Sequence, residues 1–356
     1  MKFNFVYIKN DVFKAVEKCS DTIDIEITSE NENAMGLDFL NLLRCHKKDI
    51  VEKKFDNISS FNFSRDVFNK RNWNELSKIA RGLFVDTNNG NIVARGFDKF
   101  FNYCEGFFNT DAWLKTNLKF PVVVYKKYNG FLGILTFDRT EHKFLFCSKS
   151  CVSGTFSDYF KSIFNELKKD EESSYFTNLA NHLVNNNSCL IFEVIDPFND
   201  PHIVEYDKSD IVLLDEVKLN QKFEHSSYEE LCKIGQEFKF KVKEKIMSFD
   251  DWDSLKSFIN KALDYSFTKN EEGWVFEDAN DYHFKLKCGW YKFWKDMRHY
   301  KQKLTAGHGV STSGLQTPLM NKVFAWMKSH SREWLQSKSI IDVRNEFEKE
   351  KNSENQ

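Results

Sequence analysis

No two cysteines in this 356-residue chain have the CxxC spacing, although it contains 8 of them. The closest pair is Cys147 and Cys151. That excludes the usual zinc ligand sets and gives no sign of a disulfide framework. Reduced thiols point to the cytoplasm or the nucleus. The 9 histidines form no metal-binding pattern. A Gly-rich phosphate-cradling loop is absent. So is any run of roughly 18 apolar residues, the length that would span a bilayer. The first residues lack the apolar core and cleavage site of a secretory signal. Only 4 prolines occur, beside 36 phenylalanines and abundant Asn and Lys. This is the bias of an AT-rich genome and carries no functional weight. There is no overall excess of either charge, since the formal net charge is −2. Any polyanion must therefore be met by local basic patches.

What is present suits a globular protein with a proper core: 41% hydrophobic and 29% charged residues. The first 70 residues mix short apolar segments with a polar loop at residues 29–33. ARGLFVD and IVARGF flank an Asn-Gly turn and read as a β-hairpin. FPVVVY, FLGILTF and KFLFCSK read as three strands of an antiparallel meander. Residues 159–186 look helical, then CLIFEVID and IVLLDEV look like strands. Helical spacing returns over 227–247 and 249–265. GWVF and YHFKLK form another hairpin. Residues 290–304 make a basic, aromatic helix, 308–318 a loop, and 319–347 one or two helices. Hairpins dominate over any βαβ rhythm, which predicts an α+β fold with antiparallel sheets.

The segment Lys127-Tyr128-Asn129-Gly130 leaves one buried strand and enters another. A lysine at a strand end can lose its proton through desolvation and nearby cations, and can then attack phosphorus. Asn129 offers a hydrogen bond for a ribose hydroxyl, and Gly130 allows close approach. Lys285 and Lys287 lie two apart on one strand and so share a face. An anion between them relieves their repulsion. Strand alternation turns Glu193 away from Phe192 and Val194. Arg81, Lys99 and Lys149 are further candidate phosphate clamps.

Five blocks occur in order: ARGLFVD…IVARGFDKFFN, KYNG, FCSK, IFEVIDP, and EGWVF with FKLK. Together they resemble the nucleotidyltransferase superfamily of RNA ligases, DNA ligases and capping enzymes. Within it the chain is most similar to phage-type RNA ligases and to the ligase domain of fungal-type tRNA ligases. The resemblance runs from Ala80 to Tyr291. It implies an adenylation domain of antiparallel sheets flanked by helices over residues 1–300, with 1–70 as its N-terminal portion. A small helical C-terminal module would occupy 301–356. Capping enzymes and DNA ligases of the superfamily carry a β-barrel after the last lysine block, and the helical pattern after Lys287 does not suit one.

The implied reaction joins RNA 3′-OH and 5′-phosphate ends with ATP, through AMP held covalently on Lys127. Lys285 and Lys287 would assist the chemistry. Arg81, Lys99, Asn129, Lys149, Glu193 and Tyr291 would hold ATP. Glu272 would hold Mg²⁺ (or Mn²⁺), with Glu271 the neighbouring alternative. Lys292, Lys295 and Arg298, set among Phe293, Trp294 and Tyr300, form a basic track for RNA with rings to stack on bases. The implied partners are RNA, including tRNA halves, and separate end-healing enzymes, with no membrane and a monomeric state. The contrasting reading is an idle RNA-binding protein that keeps the fold.

Overall fold

A computed structural model describes residues 4–8, 12–16, 29–307, 311 and 313–354. The strands are β1 (Asn4–Ile8), β2 (Val12–Val16), β3 (Ile50–Phe55), β4 (Ile58–Phe63), β5 (Leu83–Asp86), β6 (Ile92–Arg95), β7 (Phe101–Asn102) and β8 (Val122–Lys127). They continue as β9 (Phe131–Asp138), β10 (Lys143–Ser148), β11 (Ser188–Ile195), β12 (Asp210–Lys218), β13 (Lys241–Val242), β14 (Lys245–Phe249), β15 (Gly273–Glu277) and β16 (His283–Lys287). The helices are α1 (Ser29–Cys45), α2 (Arg65–Lys70), α3 (Glu75–Ile79), α4 (Asp111–Asn117), α5 (Thr155–Leu167), α6 (Ser173–Asn185), α7 (Tyr228–Glu237) and α8 (Trp252–Ala262). After β16 come α9 (Gly289–Ala306), α10 (Pro318–Ser329), α11 (Arg332–Ser337) and α12 (Ile340–Glu354). The fold is α+β, as the hairpin pattern predicts.

The chain divides into two compact units. The first holds residues 1–100, 131–194 and 210–243; the second holds 101–130, 195–209 and 244–356. In the first unit, β3-β4-β5-β6 form an antiparallel sheet, and β10-β9-β11-β12-β13 form another in which β13 runs parallel to β12. Ile58, Phe84 and Ala94 of one sheet pack with Ile134, Cys189 and Ile191 of the other. The outer face of the larger sheet is covered by Phe160, Phe164, Leu179 and Leu231 of α5, α6 and α7. The β5–β6 hairpin closes as its Asn-Gly signal predicts. Gly90 takes φ +77°, and a Cβ there would lie 2.0 Å from a carbon of Gly36.

The second unit is built on the sheet β14-β8-β15-β16-β7. Its core joins Val122, Val124, Phe276, Phe284 and Leu286 of the sheet to Ile259 of α8, Trp290 and Trp294 of α9, and Val323 and Val343 of α10 and α12. Residue 300, where the adenylation domain was expected to end, lies inside α9. Helices α10–α12 share this core.

Five local expectations need correction. β8 and β9 are not neighbours in a meander; they belong to different sheets, because the linker between them is anchored by Asn129 instead of closing a tight turn. Residues 159–186 form two helices, broken after Lys168, whose ammonium donates to the carbonyls of Phe238 and Lys239. Residues 227–247 are helical only to Glu237. Lys239 then takes φ +51°, and the chain continues as β13 and β14. The stretch after residue 318 makes three helices, and residues 29–33 open α1 instead of forming a loop. The loop expected at 308–318 lies partly outside the described residues. Among the described residues, no helix is long and apolar enough to cross a membrane.

Candidate active site

In the second unit the register of three strands sets two lysines side by side. Gly273 of β15 is paired with Lys127 of β8 on one side and with Lys287 of β16 on the other. Phe284 and Leu286 point into the core, so Lys285 and Lys287 project from the opposite face, as alternation requires. Gly273 has φ +145°, and a Cβ there would meet the Leu286 carbonyl oxygen at 1.9 Å. Only glycine fits, and its geometry places Glu272, one residue earlier, against both lysines.

Glu272 is 3% exposed. Its Oε2 lies 2.9 Å from Lys127 Nζ, and its Oε1 accepts from Lys287 Nζ at 2.6 Å. Burial alone would raise its pKa, but the two ammoniums override that and hold it at about 2. Lys287 is shifted down, first by burial and then by the like charges of Lys127 and Lys295, with Glu272 opposing. Its ammonium lies 4.7 Å from the Tyr291 ring centroid. Tyr291 is buried, which pushes its hydroxyl up to about 12 with help from the Glu272 charge.

Asn129 is spent on protein partners and is not turned outward toward a ribose. Its Nδ2 donates to Glu272 Oε2 at 3.0 Å and to the Tyr291 hydroxyl at 3.3 Å. Its Oδ1 accepts from the backbone N–H groups of Ile203 and Val204, and its own N–H donates to the Tyr206 hydroxyl. It is therefore a buried brace that orients Glu272. The segment it grips is held in turn from α12. Arg344, 5% exposed, donates to the Ile203 carbonyl and to Glu205, each at 2.8 Å, and lies over the Trp290 ring. Tyr206 and Arg344 were missed in the sequence. They stand far from Lys127 along the chain and carry no motif; an arginine within an apolar helical stripe was the one available signal.

In the first unit, Arg81 precedes β5 and is half-buried, with its guanidinium 3.4 Å from the Phe97 carbonyl oxygen. Burial lowers its pKa, while Glu193 and Asp98 oppose the shift. Glu193 projects from β11 between buried Phe192 and Val194, as alternation predicts. Lys99 lies over Trp73 at 5.2 Å, and Lys149 over Phe63 at 5.1 Å. Lys149 is shifted down by partial burial and by the positive charges of Arg81 and Lys99. Arg81 and Lys99 stand close enough to Lys149 to repel its charge, and three cations grouped in this way suit an anionic ligand bearing several phosphate oxygens.

On α9, Lys292 and Lys295 are exposed and Arg298 is half-buried. The rings among them are not available to bases. Phe293, Trp294 and Tyr300 are core residues at 8%, 1% and 7% exposure, so the expected stacking is ruled out by the packing of α9. The track is one of charge alone. Glu271 sits apart from Glu272, 3.6 Å from Lys126.

The family model for RNA ligase matches residues 79–291. The chain belongs to the RNA ligase family. It is 26% identical over 215 residues to a tRNA ligase of Candida albicans (strain SC5314 / ATCC MYA-2876), a match that covers 53% of this chain and 25% of that protein. The chain thus spans about a quarter of the length of this curated relative. Among solved structures it resembles an archaeal ATP-dependent RNA ligase, with TM-score 0.53 and 11% identity over 87% of this chain and 78% of the other. It also resembles a candidate ATP-dependent DNA ligase from Aquifex aeolicus, with TM-score 0.50 and 14% identity over 82% and 72%. Likeness this remote shows the shared fold alone.

Proposed function

We propose that this RNA ligase uses ATP and works through a lysyl-adenylate on Lys127, sealing a 3′-OH to a 5′-phosphate in RNA repair or tRNA splicing. The observation that carries the reading is the Lys127–Glu272–Lys287 group. It sets a strand-end amine and a second cation on one buried carboxylate, braced by Asn129 and Tyr291. In the first step Lys127 Nζ, having lost a proton, forms a bond to the α-phosphorus of ATP. The bond to the departing pyrophosphate breaks. The AMP then passes to the 5′-phosphate of an RNA strand, and attack by a 3′-OH forms the phosphodiester and releases AMP.

Within this scheme Lys285 and Lys287 stabilise charge on the α-phosphate. Arg81, Lys99 and Lys149 meet phosphate oxygens, and Glu193 binds the ribose. Glu272 holds the Lys127 ammonium until the amine is needed. Both of its oxygens are hard donors, Oε2 turned toward Lys127 and Oε1 toward Lys287. They suit a divalent cation once an ammonium has moved aside. Such a cation, Mg²⁺ or Mn²⁺, would neutralise the leaving pyrophosphate when bound, with Glu272 holding it. Lys292, Lys295 and Arg298 contact the RNA backbone.

The test is incubation with α-labelled ATP and magnesium, followed by a denaturing gel, beside Lys127→Ala. The expected result is a labelled band in the parent and none in the variant. Equal labelling of a folded Lys127→Ala protein would sink the assignment. A folded, AMP-free parent that never labels with ATP or GTP would favour the idle RNA-binding reading.

A further inference from the structure

Two aromatic rings lie beneath two of the cations in the first unit. Phe63, the last residue of β4, has Lys149 Nζ 5.1 Å from its centroid. Trp73, just before α3, has Lys99 Nζ at 5.2 Å. The rings meet edge to face, with centroids 4.8 Å apart and planes at 75°. The two ammoniums therefore rest on one aromatic floor. Both rings are half-buried and held in place by the backbone. The Phe63 N–H donates to the Ala80 carbonyl at 2.7 Å, beside Arg81. Trp73 leads into a reciprocal helix cap, in which Asn74 Oδ1 accepts from the Ser77 N–H and Ser77 Oγ accepts from the Asn74 N–H. The Lys99 N–H donates to the Lys78 carbonyl at 2.8 Å, which ties the second cation to the same stretch.

A ring is a different seat for an ammonium than a carboxylate. Its quadrupole attracts the cation but brings no net charge, so the cation keeps its attraction for an anionic ligand. The ring face also leaves N–H donors of the ammonium for that ligand. Glu272 shows the other arrangement, with two lysines spent on one carboxylate. The charges acting on Lys149 are those of Arg81 and Lys99, both positive. Repulsion of that kind drives flexible lysine stems apart. Attraction to two fixed, touching rings opposes it.

We propose that Phe63 and Trp73 are positioning residues for the triphosphate: they hold Lys149 and Lys99 side by side, charged and ready for phosphate oxygens, without touching the ligand. This deepens the proposed function and rests on it for the assignment of both lysines to ATP.

The test is a double-mutant cycle read by calorimetric binding of α,β-methylene-ATP, whose AMP cannot be transferred. The proteins are the parent, Trp73→Leu, Trp73→Phe, Lys99→Ala and W73L/K99A, each checked for folding by thermal unfolding. Lys99→Ala should weaken binding about tenfold or more. Trp73→Leu should weaken it about three- to tenfold, and Trp73→Phe, which keeps a π face, should restore part of that. With Lys99 already removed, the leucine should cost less than about twofold. An equal cost in both backgrounds overturns the proposal, because the ring would then act on the ligand or the fold and not through Lys99. Parental affinity in Trp73→Leu, or a phenylalanine no better than the leucine, overturns it as well. Phe63→Leu against Lys149→Ala carries the same cycle should Trp73→Leu not fold. If Lys99→Ala binds like the parent, this inference falls even where Lys127 labels normally. A Lys127 that never labels, beside a coupled cycle, sinks the covalent reading and leaves this one standing.

Discussion

The two cationic groups of this molecule are built on opposite plans. Around Glu272, two lysines share a buried carboxylate whose oxygens are both occupied. In the other group, Arg81 feels the Glu193 charge, and Arg81 and Lys99 are close enough to Lys149 to depress its proton affinity. The first group spends its one carboxylate on both ammoniums and so offsets part of their charge from within. It holds Lys127, the proposed nucleophile, as an ion pair. The second leaves positive charge for a ligand to neutralise. Substitutions in the first should therefore abolish chemistry and disturb folding. Substitutions in the second should weaken nucleotide binding and leave the fold intact.

The largest effect is expected at Glu272. Glu272→Gln removes the charge between two ammoniums, and breaking a buried pair costs about 3–5 kcal/mol. Urea unfolding should show that loss, together with absent adenylation. The pH dependence has a definite sign. The folded pKa of about 2 lies below the ordinary 4.5, so the stabilisation is full above about pH 4.5 and fades as pH falls toward 2. The gap in stability between parent and variant should close over that window. A gap that persists at pH 2 would mean the ion pairs contribute little.

Next comes Gly273→Ala. It adds a Cβ where the Leu286 carbonyl stands, at a φ that L residues avoid. Backbone strain of this kind costs about 1–3 kcal/mol, and Glu272 moves with it. Adenylation should fall sharply while ATP binding persists. A variant with normal labelling kinetics would show that the glycine does not position Glu272.

Arg344→Ala tests whether the brace from α12 matters at a distance. It frees the Ile203 carbonyl and Glu205, and unpins the segment that orients Asn129. A loss of about 2 kcal/mol in stability follows from removing a buried hydrogen-bonded guanidinium. The adenylation rate should drop more than the ATP KM rises. Equal stability loss with an unchanged rate would leave Arg344 a purely structural residue.

The smallest effect is at Lys149. Its lowered pKa means the ammonium is lost earlier than in an ordinary lysine as pH rises. The KM for ATP should climb on the alkaline side, and Lys149→Arg should flatten that climb. Matching alkaline limbs in parent and variant would remove Lys149 from the phosphate group.

Some of this was legible along the chain because its physical basis is local. The Asn-Gly turn closes the β5–β6 hairpin, and alternation sends Lys285 and Lys287 to one face. The five blocks in order mark the RNA ligase family. Other features depend on residues far apart in sequence and could be decided only by folding. The rings of α9 could serve a core or a ligand until the helix packed with Phe293, Trp294 and Tyr300 inward. Asn129 had the chemistry to contact a ribose, but its amide is consumed by Glu272, Tyr291 and the backbone at 203–204. The residue types of the site and their order were set by the sequence itself. Which carboxylate restrains Lys127, and which helix holds that carboxylate in place, were decided by the tertiary structure, because hydrogen bonds and ion pairs act across a few ångströms of space regardless of distance along the chain.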